Sequence, residues 1–137
     1  MITYKILTEV CVPRVGEGDA GMDLRTRETF AIWPQETMKI PLGIAFEIPN
    51  NRSFVQISAR SSVALRGCYV HIGTIDRSFN GKEVCAIMTN LGDAPITFEA
   101  GERVAQAVGL DHQTFSKTVN DIDSRDSKEG FGSSGRH

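Results

Sequence analysis

The apolar residues in the middle of this chain recur every second position, and that spacing constrains the fold more than any other feature. In "GIAFEIPN", Ile44, Phe46 and Ile48 share one face of an extended strand, opposite Ala45 and Glu47. In "SFVQISA", Val55, Ile57 and Ala59 alternate with Phe54, Gln56 and Ser58. "EVCAIMTN" is apolar at both parities, the pattern of a strand buried on both sides. Turn-forming residues separate the runs at "PQET", "PNN", "FNG", "LGDAP" and "EAG". No segment carries an amphipathic helical period, and "SSVALRG" has room for one short helical turn at most. Short strands with regular turns predict an all-β sandwich or barrel.

A chain of 137 residues is the size of one domain. Such a domain buries about two-thirds of the surface its unfolded form exposes, enough for a core without staples. Residues 1–110 are read as the barrel. From Asp111 the chain turns polar, "DHQTFSKTVNDIDSRDSKEG", and residues 111–137 are read as a C-terminal arm ending in the glycine-rich "GFGSSG". A net charge of −2 argues against a nucleic-acid backbone or an anionic membrane as partner. Cys11, Cys68 and Cys85 form no CxxC pair, and the odd count points to reduced thiols in a cytosol-like compartment. No apolar run approaches the ~18 residues of a membrane span. "MITYKILTEV" lacks the charged and apolar regions of a secretory leader, so a cytoplasmic location is expected.

Four places break the rule that a β domain keeps its polar residues outside. "AGMDL" sets Asp23 among apolar neighbours, after a glycine that permits close backbone approach. "ARSSVALRG" places Arg60, Ser61 and Ser62 at a strand end, where hydroxyls, backbone N–H groups and a guanidinium suit either a phosphate or an ordinary helix cap. "GTIDRSFNG" brings Asp76 to a strand end, with Phe79 just ahead of a hairpin-like "NG". In "GERVAQAVGL", period two puts Gln106 on the face of Val104, Val108 and Leu110. That face is expected to be buried, and an unpaired buried amide costs roughly 1–3 kcal/mol.

Taken in order, "AGMDL", "RSS", "GTIDRSFNG", "GERVAQ" and "R…GFGSSG" resemble the five motifs of the trimeric dUTP pyrophosphatases, from Ala20 to Gly135. The resemblance implies a homotrimer of jelly-roll-like β barrels with active sites between subunits, closed by an arm from a neighbouring copy. It implies hydrolysis of dUTP to dUMP and pyrophosphate by water attack on the α-phosphorus, with Asp76 as the general base. Arg60, Ser61 and Ser62 would bind the α and β phosphates, and Gln106 a phosphate or its water. Main-chain groups of Gly73, Thr74, Ile75 and Val84 would read the uracil edge, with Phe79 under the deoxyribose. From the arm, Phe131 would stack on the base, and Gly132, Ser133 and Ser134 would hold the γ-phosphate. Arg125 is carried over as the phosphate-binding arginine through a one-residue insertion, with Lys128 as substitute. Mg²⁺ would bridge the phosphates with no direct protein ligand, and Asp23 would act through its water shell or steady Arg60.

The chain departs from the pattern in Phe79 for the usual Tyr, in Ser62 for the usual Gly, and in Asp126 after Arg125. Two other readings were weighed. The dCTP deaminases share the fold and a similar turn but use a Glu as proton shuttle further on, where this chain has Ala86. A non-catalytic regulatory or structural trimer would have no need for Asp76, Gln106 and the arm together.

Overall fold

A computed structural model describes residues 1–118. Ten strands make up nearly all of the regular structure: β1 (Thr3–Ile6), β2 (Gly21–Arg25), β3 (Phe30–Ile32), β4 (Thr37–Glu47), β5 (Ser53–Ser58), β6 (Cys68–Val70), β7 (Gly73–Ile75), β8 (Glu83–Asn90), β9 (Ile96–Phe98) and β10 (Arg103–Asp111). One helical turn, α1 (Ser61–Ala64), follows β5, and 3₁₀ turns occupy Glu9–Cys11 and Arg77–Phe79. The short helical turn expected from "SSVALRG" is the one that forms.

The strands build two antiparallel four-stranded sheets, ordered β1-β4-β8-β6 and β2-β10-β5-β7, with β3 and β9 as a small ribbon. Both sheets close on one core, which makes the protein an all-β, jelly-roll-like barrel. Ile40, Leu42, Ile44, Val84, Ala86 and Met88 enter it from the first sheet, and Leu24, Val55, Ile57, Ala105 and Ala107 from the second. Each fully buried side chain of this size contributes roughly 1.5–3 kcal/mol. The longest strand, β4, bends where its register with β8 shifts between Pro41 and Ala45. Gly43 lies in that bend at φ 61°, and a side chain there would collide with Cys11.

Three expectations from periodicity need correction. Ala45, placed opposite the core face, is itself buried between its register partners Lys5 and Glu83. The outer face of β8 is not fully covered by the described residues: Val84, Ala86 and Met88 point into the core, but Ile87 is 47% exposed. Its sheet is a single layer on that side. Third, Gln106 does not share the core face. An irregularity between Arg103 and Ala105 shifts the phase of β10, so that Val104, Ala105 and Ala107 are buried while Gln106 and Val108 are half-buried and Leu110 is exposed.

Two buried polar side chains are fully occupied. Asn90 donates to Ile32 O and Ala94 O and accepts from Gly92 N, tying β8 to β3 and the following turn. Thr26 is bonded both ways to the Glu28 backbone. At the other end of the ribbon Phe98 stacks on Phe30 at 5.1 Å and lies 4.2 Å beneath the Arg66 guanidinium. Phe98→Ala is therefore expected to cost about 3–5 kcal/mol, read as a lowered denaturant midpoint at fixed protein concentration.

Candidate active site

The out-of-place polar residues fall into two groups. The first gathers where β2, β10 and β5 run side by side, with Gln106 opposite Asp23 on one flank and Ser58 on the other. Asp23 faces two guanidiniums, Arg60 Nε at 3.3 Å and Arg103 Nη1 at 3.2 Å. At 22% exposure for both Asp23 and Arg60, this pairing is half shielded from water, where a charge pair is worth more than on an open surface. Arg60 also donates to Arg103 O at 3.2 Å. It stands in extended conformation just before α1, so its side chain folds back over the sheet while Ser61 and Ser62 begin the helical turn, exposed. Gln106 Nε2 donates to Ala59 O at 2.8 Å, and its Oε1 packs so closely over Gly21 that a side chain there would collide with it. The partner this amide requires is thus a backbone carbonyl. Arg103 was missed in the sequence: its partner lies 80 residues away, and no local pattern announces such a pair.

The second group lies at the end of β7. Asp76 is exposed and caps the 3₁₀ turn Arg77–Phe79. Its Oδ1 accepts from both the backbone N–H and the hydroxyl of Ser78. Those two bonds, the hydroxyl first, hold its carboxyl below the usual aspartate value, with a weaker contribution from nearby His112. A cleft of about 220 Å³ opens here, lined by Asn51, Ser53, Asp76, Arg77, Ser78 and His112. Phe79 packs partly against the core, with Lys82 Nζ 5.5 Å from its ring centre.

Gly73, Thr74 and Ile75 form β7, which pairs only with β5 and is the last strand of its sheet. Val84 belongs to β8 in the other sheet, its side chain buried. The segment joining them is not the hairpin ladder that "NG" suggested. Asn80 pairs its side chain with both Ile48 N and Ile48 O, and Gly81 N donates to Phe46 O. The connection is thereby drawn onto the end of β4, and β7 and β8 part. On its other flank β8 is bonded to β6 only from Met88 onward, with His71 N donating to Ile87 O just before the split. Strand edges whose backbone groups are not taken up by a neighbour are suited to reading a flat, hydrogen-bonding ligand. Arg125, Phe131, Gly132, Ser133 and Ser134 lie outside the described residues.

The two groups are far apart. Ile75 is level with Val55, which sets Asp76 beside position 54, while Arg60 follows the opposite end of β5. Gln106 and Asp23 are level with Ser58, four residues from position 54 and so about 13 Å away at ~3.3 Å per residue, and the Arg60 guanidinium folds back onto Asp23 at that level.

The antiparallel barrel fold is shared with solved structures. EIAV dUTPase matches with a TM-score of 0.76 at 29% identity, covering 91% of this chain and 98% of that one. The dUTPase of Staphylococcus bacteriophage 80alpha has the same fold, with a TM-score of 0.79 at 23% identity over 90% of this chain and 99% of that one. The dUTPase family model matches residues 9–135, and the chain belongs to that family. Relatives named deoxyuridine 5′-triphosphate nucleotidohydrolase include those of Anaeromyxobacter sp. (strain Fw109-5), 38% identical over 88% of this chain and 84% of the relative, and of Picosynechococcus sp. (strain ATCC 27264 / PCC 7002 / PR-6), 39% identical over 87% and 86%.

Asp23→Ala is expected to leave two guanidiniums facing each other and to destabilise the barrel by about 1–2 kcal/mol, a loss that shrinks at high salt. Denaturant titrations at low and high ionic strength check it.

Proposed function

We propose that this chain is a dUTP diphosphatase (EC 3.6.1.23), hydrolysing dUTP to dUMP and pyrophosphate, which keeps uracil out of DNA and supplies dUMP for dTMP synthesis. The observation that carries the reading is the separation of its two polar groups. A base must lie within about 3 Å of the water it polarises, and that water attacks the α-phosphorus. Asp23, Gln106 and the Arg60 guanidinium lie about 13 Å along the sheet from the level of Asp76, too far for both groups to hold one attacking water on the same chain. The two groups become one site when Asp76 of one copy faces Arg60, Ser61, Ser62 and Gln106 of another, as in the homotrimer we assign to it. The exposed Ile87 on an uncovered sheet face and the fully exposed Phe115 in the segment leaving β10 are consistent with neighbouring copies.

In this site Asp76 orients a water for in-line attack. Its carboxyl is ionised at neutral pH and is a weak base, so positioning and charge neutralisation carry most of the acceleration. Arg60, Ser61 and Ser62 bind the α and β phosphates, with Arg60 aimed by Asp23. Gln106 offers its remaining N–H. The parted edges at Gly73, Thr74, Ile75 and Val84 read the uracil, and Phe79 supports the deoxyribose where a 2′-hydroxyl would clash. Residues 111–137 act as the arm: Arg125 meets phosphate, Phe131 covers the base, and Gly132, Ser133 and Ser134 enclose the γ-phosphate.

The donor set suits a Mg²⁺ that arrives on the nucleotide. Among the described residues no three His, Cys, Asp or Glu side chains are grouped to hold an ion. Both Asp23 oxygens face guanidiniums, which leaves this carboxylate to reach a cation only through water. Once bound with substrate, Mg²⁺ supplies neutralisation of the triphosphate charge. No described helix is long and apolar enough to cross a membrane, and we place the enzyme in the cytoplasm, or the host's if it is viral or phage encoded.

Pyrophosphate release measured side by side on dUTP, dCTP, dTTP and UTP, with Mg²⁺ and with chelator, tests the reading. Release is expected from dUTP with Mg²⁺, and Asp76→Asn should lower it by about 10²–10⁴-fold while nucleotide binding persists. Equal release from all four nucleotides, or ammonia from dCTP, would contradict it.

A further inference from the structure

The base assigned above is an exposed aspartate. An aspartate's second side-chain torsion is broad, so an unsupported carboxylate samples many orientations. Asp76 is not unsupported. The hydroxyl and the backbone N–H of Ser78 both bond the same oxygen, Oδ1. Neither bond falls on Oδ2, and the cleft beside this carboxylate is lined by Asn51, Ser53, Arg77 and His112. We propose that Ser78 is a positioning residue for the reaction: its hydroxyl fixes Oδ1 of Asp76 so that Oδ2 is the oxygen presented to the attacking water. The inference rests on the reading of Asp76 as general base.

The same clamp joins two functions in one short segment. Asp76 caps the 3₁₀ turn in which Ser78 and Phe79 sit. Fixing the carboxylate to Ser78 therefore also fixes its direction relative to the ring assigned to the sugar. Base and sugar platform move as a unit, and the angle between water and α-phosphorus does not depend on a freely turning side chain. The bond has a chemical consequence as well. It stabilises the ionised carboxylate and so lowers proton affinity, trading base strength for orientation. Other titratable or charged groups around the carboxylate are Arg77 in the turn, His112 at the exit of β10, and Asp111, which accepts from Ser53. None of these is hydrogen-bonded to Asp76, so the hydroxyl is the contact whose removal is specific.

The full-length chain with Ser78→Ala, Ser78→Thr or Asp76→Asn tests this through the pH dependence of kcat and the ¹³C titration of the Asp76 carboxyl. Ser78→Ala keeps the backbone bond, and hence the turn, but loses the hydroxyl. Its kcat is expected to fall about tenfold at neutral pH with KM nearly unchanged. Activity requires the ionised carboxylate and is lost as pH falls through its pKa. Loss of the hydroxyl raises that pKa, so the acid limb and the ¹³C midpoint should both move to higher pH, and Ser78→Thr should restore both. An Ala variant with unchanged kcat and midpoint overturns the inference. So does a fall in kcat with the midpoint unmoved and no rescue by Thr, which is the behaviour of a purely structural residue. The two failures are separable. Wild-type turnover in Asp76→Asn removes the base reading itself, whereas an inactive Asp76→Asn beside an unaffected Ser78→Ala removes only the role of Ser78.

Discussion

Four residue levels of β5 hold apart the two polar groups of this chain. β5 runs Ser53–Ser58, with β7 and the Asp76 carboxylate anchored near its start and Arg60 leading into α1 beyond its end. A paired strand in the middle of a sheet cannot shorten, and the two groups stay about 13 Å apart along it. The rest of the account follows from this. The chain holds each group in good order, and in the proposed enzyme another copy completes each one.

Each half is built by different means. At the phosphate end, charge does the fixing: one carboxylate between two arginines aims Arg60, while Gln106 is anchored on Ala59 O. At the base end, backbone geometry does it. Asn80 grips Ile48, the connection from β7 to β8 is pulled onto β4, and two strand edges are left without a mutual ladder. A barrel that had closed those edges on each other would be better paired and would lack the open edges to which the proposed function assigns the base.

Much of this was legible in the sequence, for identifiable reasons. Alternation in "SFVQISA" corresponds to β5, with Val55 and Ile57 buried, because a half-buried strand writes its two faces into alternate residues. Asp23 stood out among apolar neighbours, and Arg60 and Asp76 as polar residues at strand ends. Gln106 shows where such reading stops. Strict period two put it on the core face, but one irregularity in β10 reverses the phase, and an irregularity has no composition of its own. The outer face of β8 read as buried and is not fully covered by the described residues, since periodicity records that a face is apolar and not whose surface covers it. Arg103 and the Ser78 clamp went unread because the first depends on a contact across 80 residues and the second on the direction of a hydroxyl.

The central claim is that base and phosphate ligands of one site come from different copies, and mixing two inactive variants tests it most directly. Asp76→Asn chains and Arg60→Ala chains would be unfolded together in equal amounts, refolded, and assayed for pyrophosphate release from dUTP. If each site draws its base from one copy and its arginine from the next, random mixing places both native residues in about one site in four, and about a quarter of wild-type activity should return. A mixture as inactive as its parents would mean that both groups act from the same chain, and the account would be wrong.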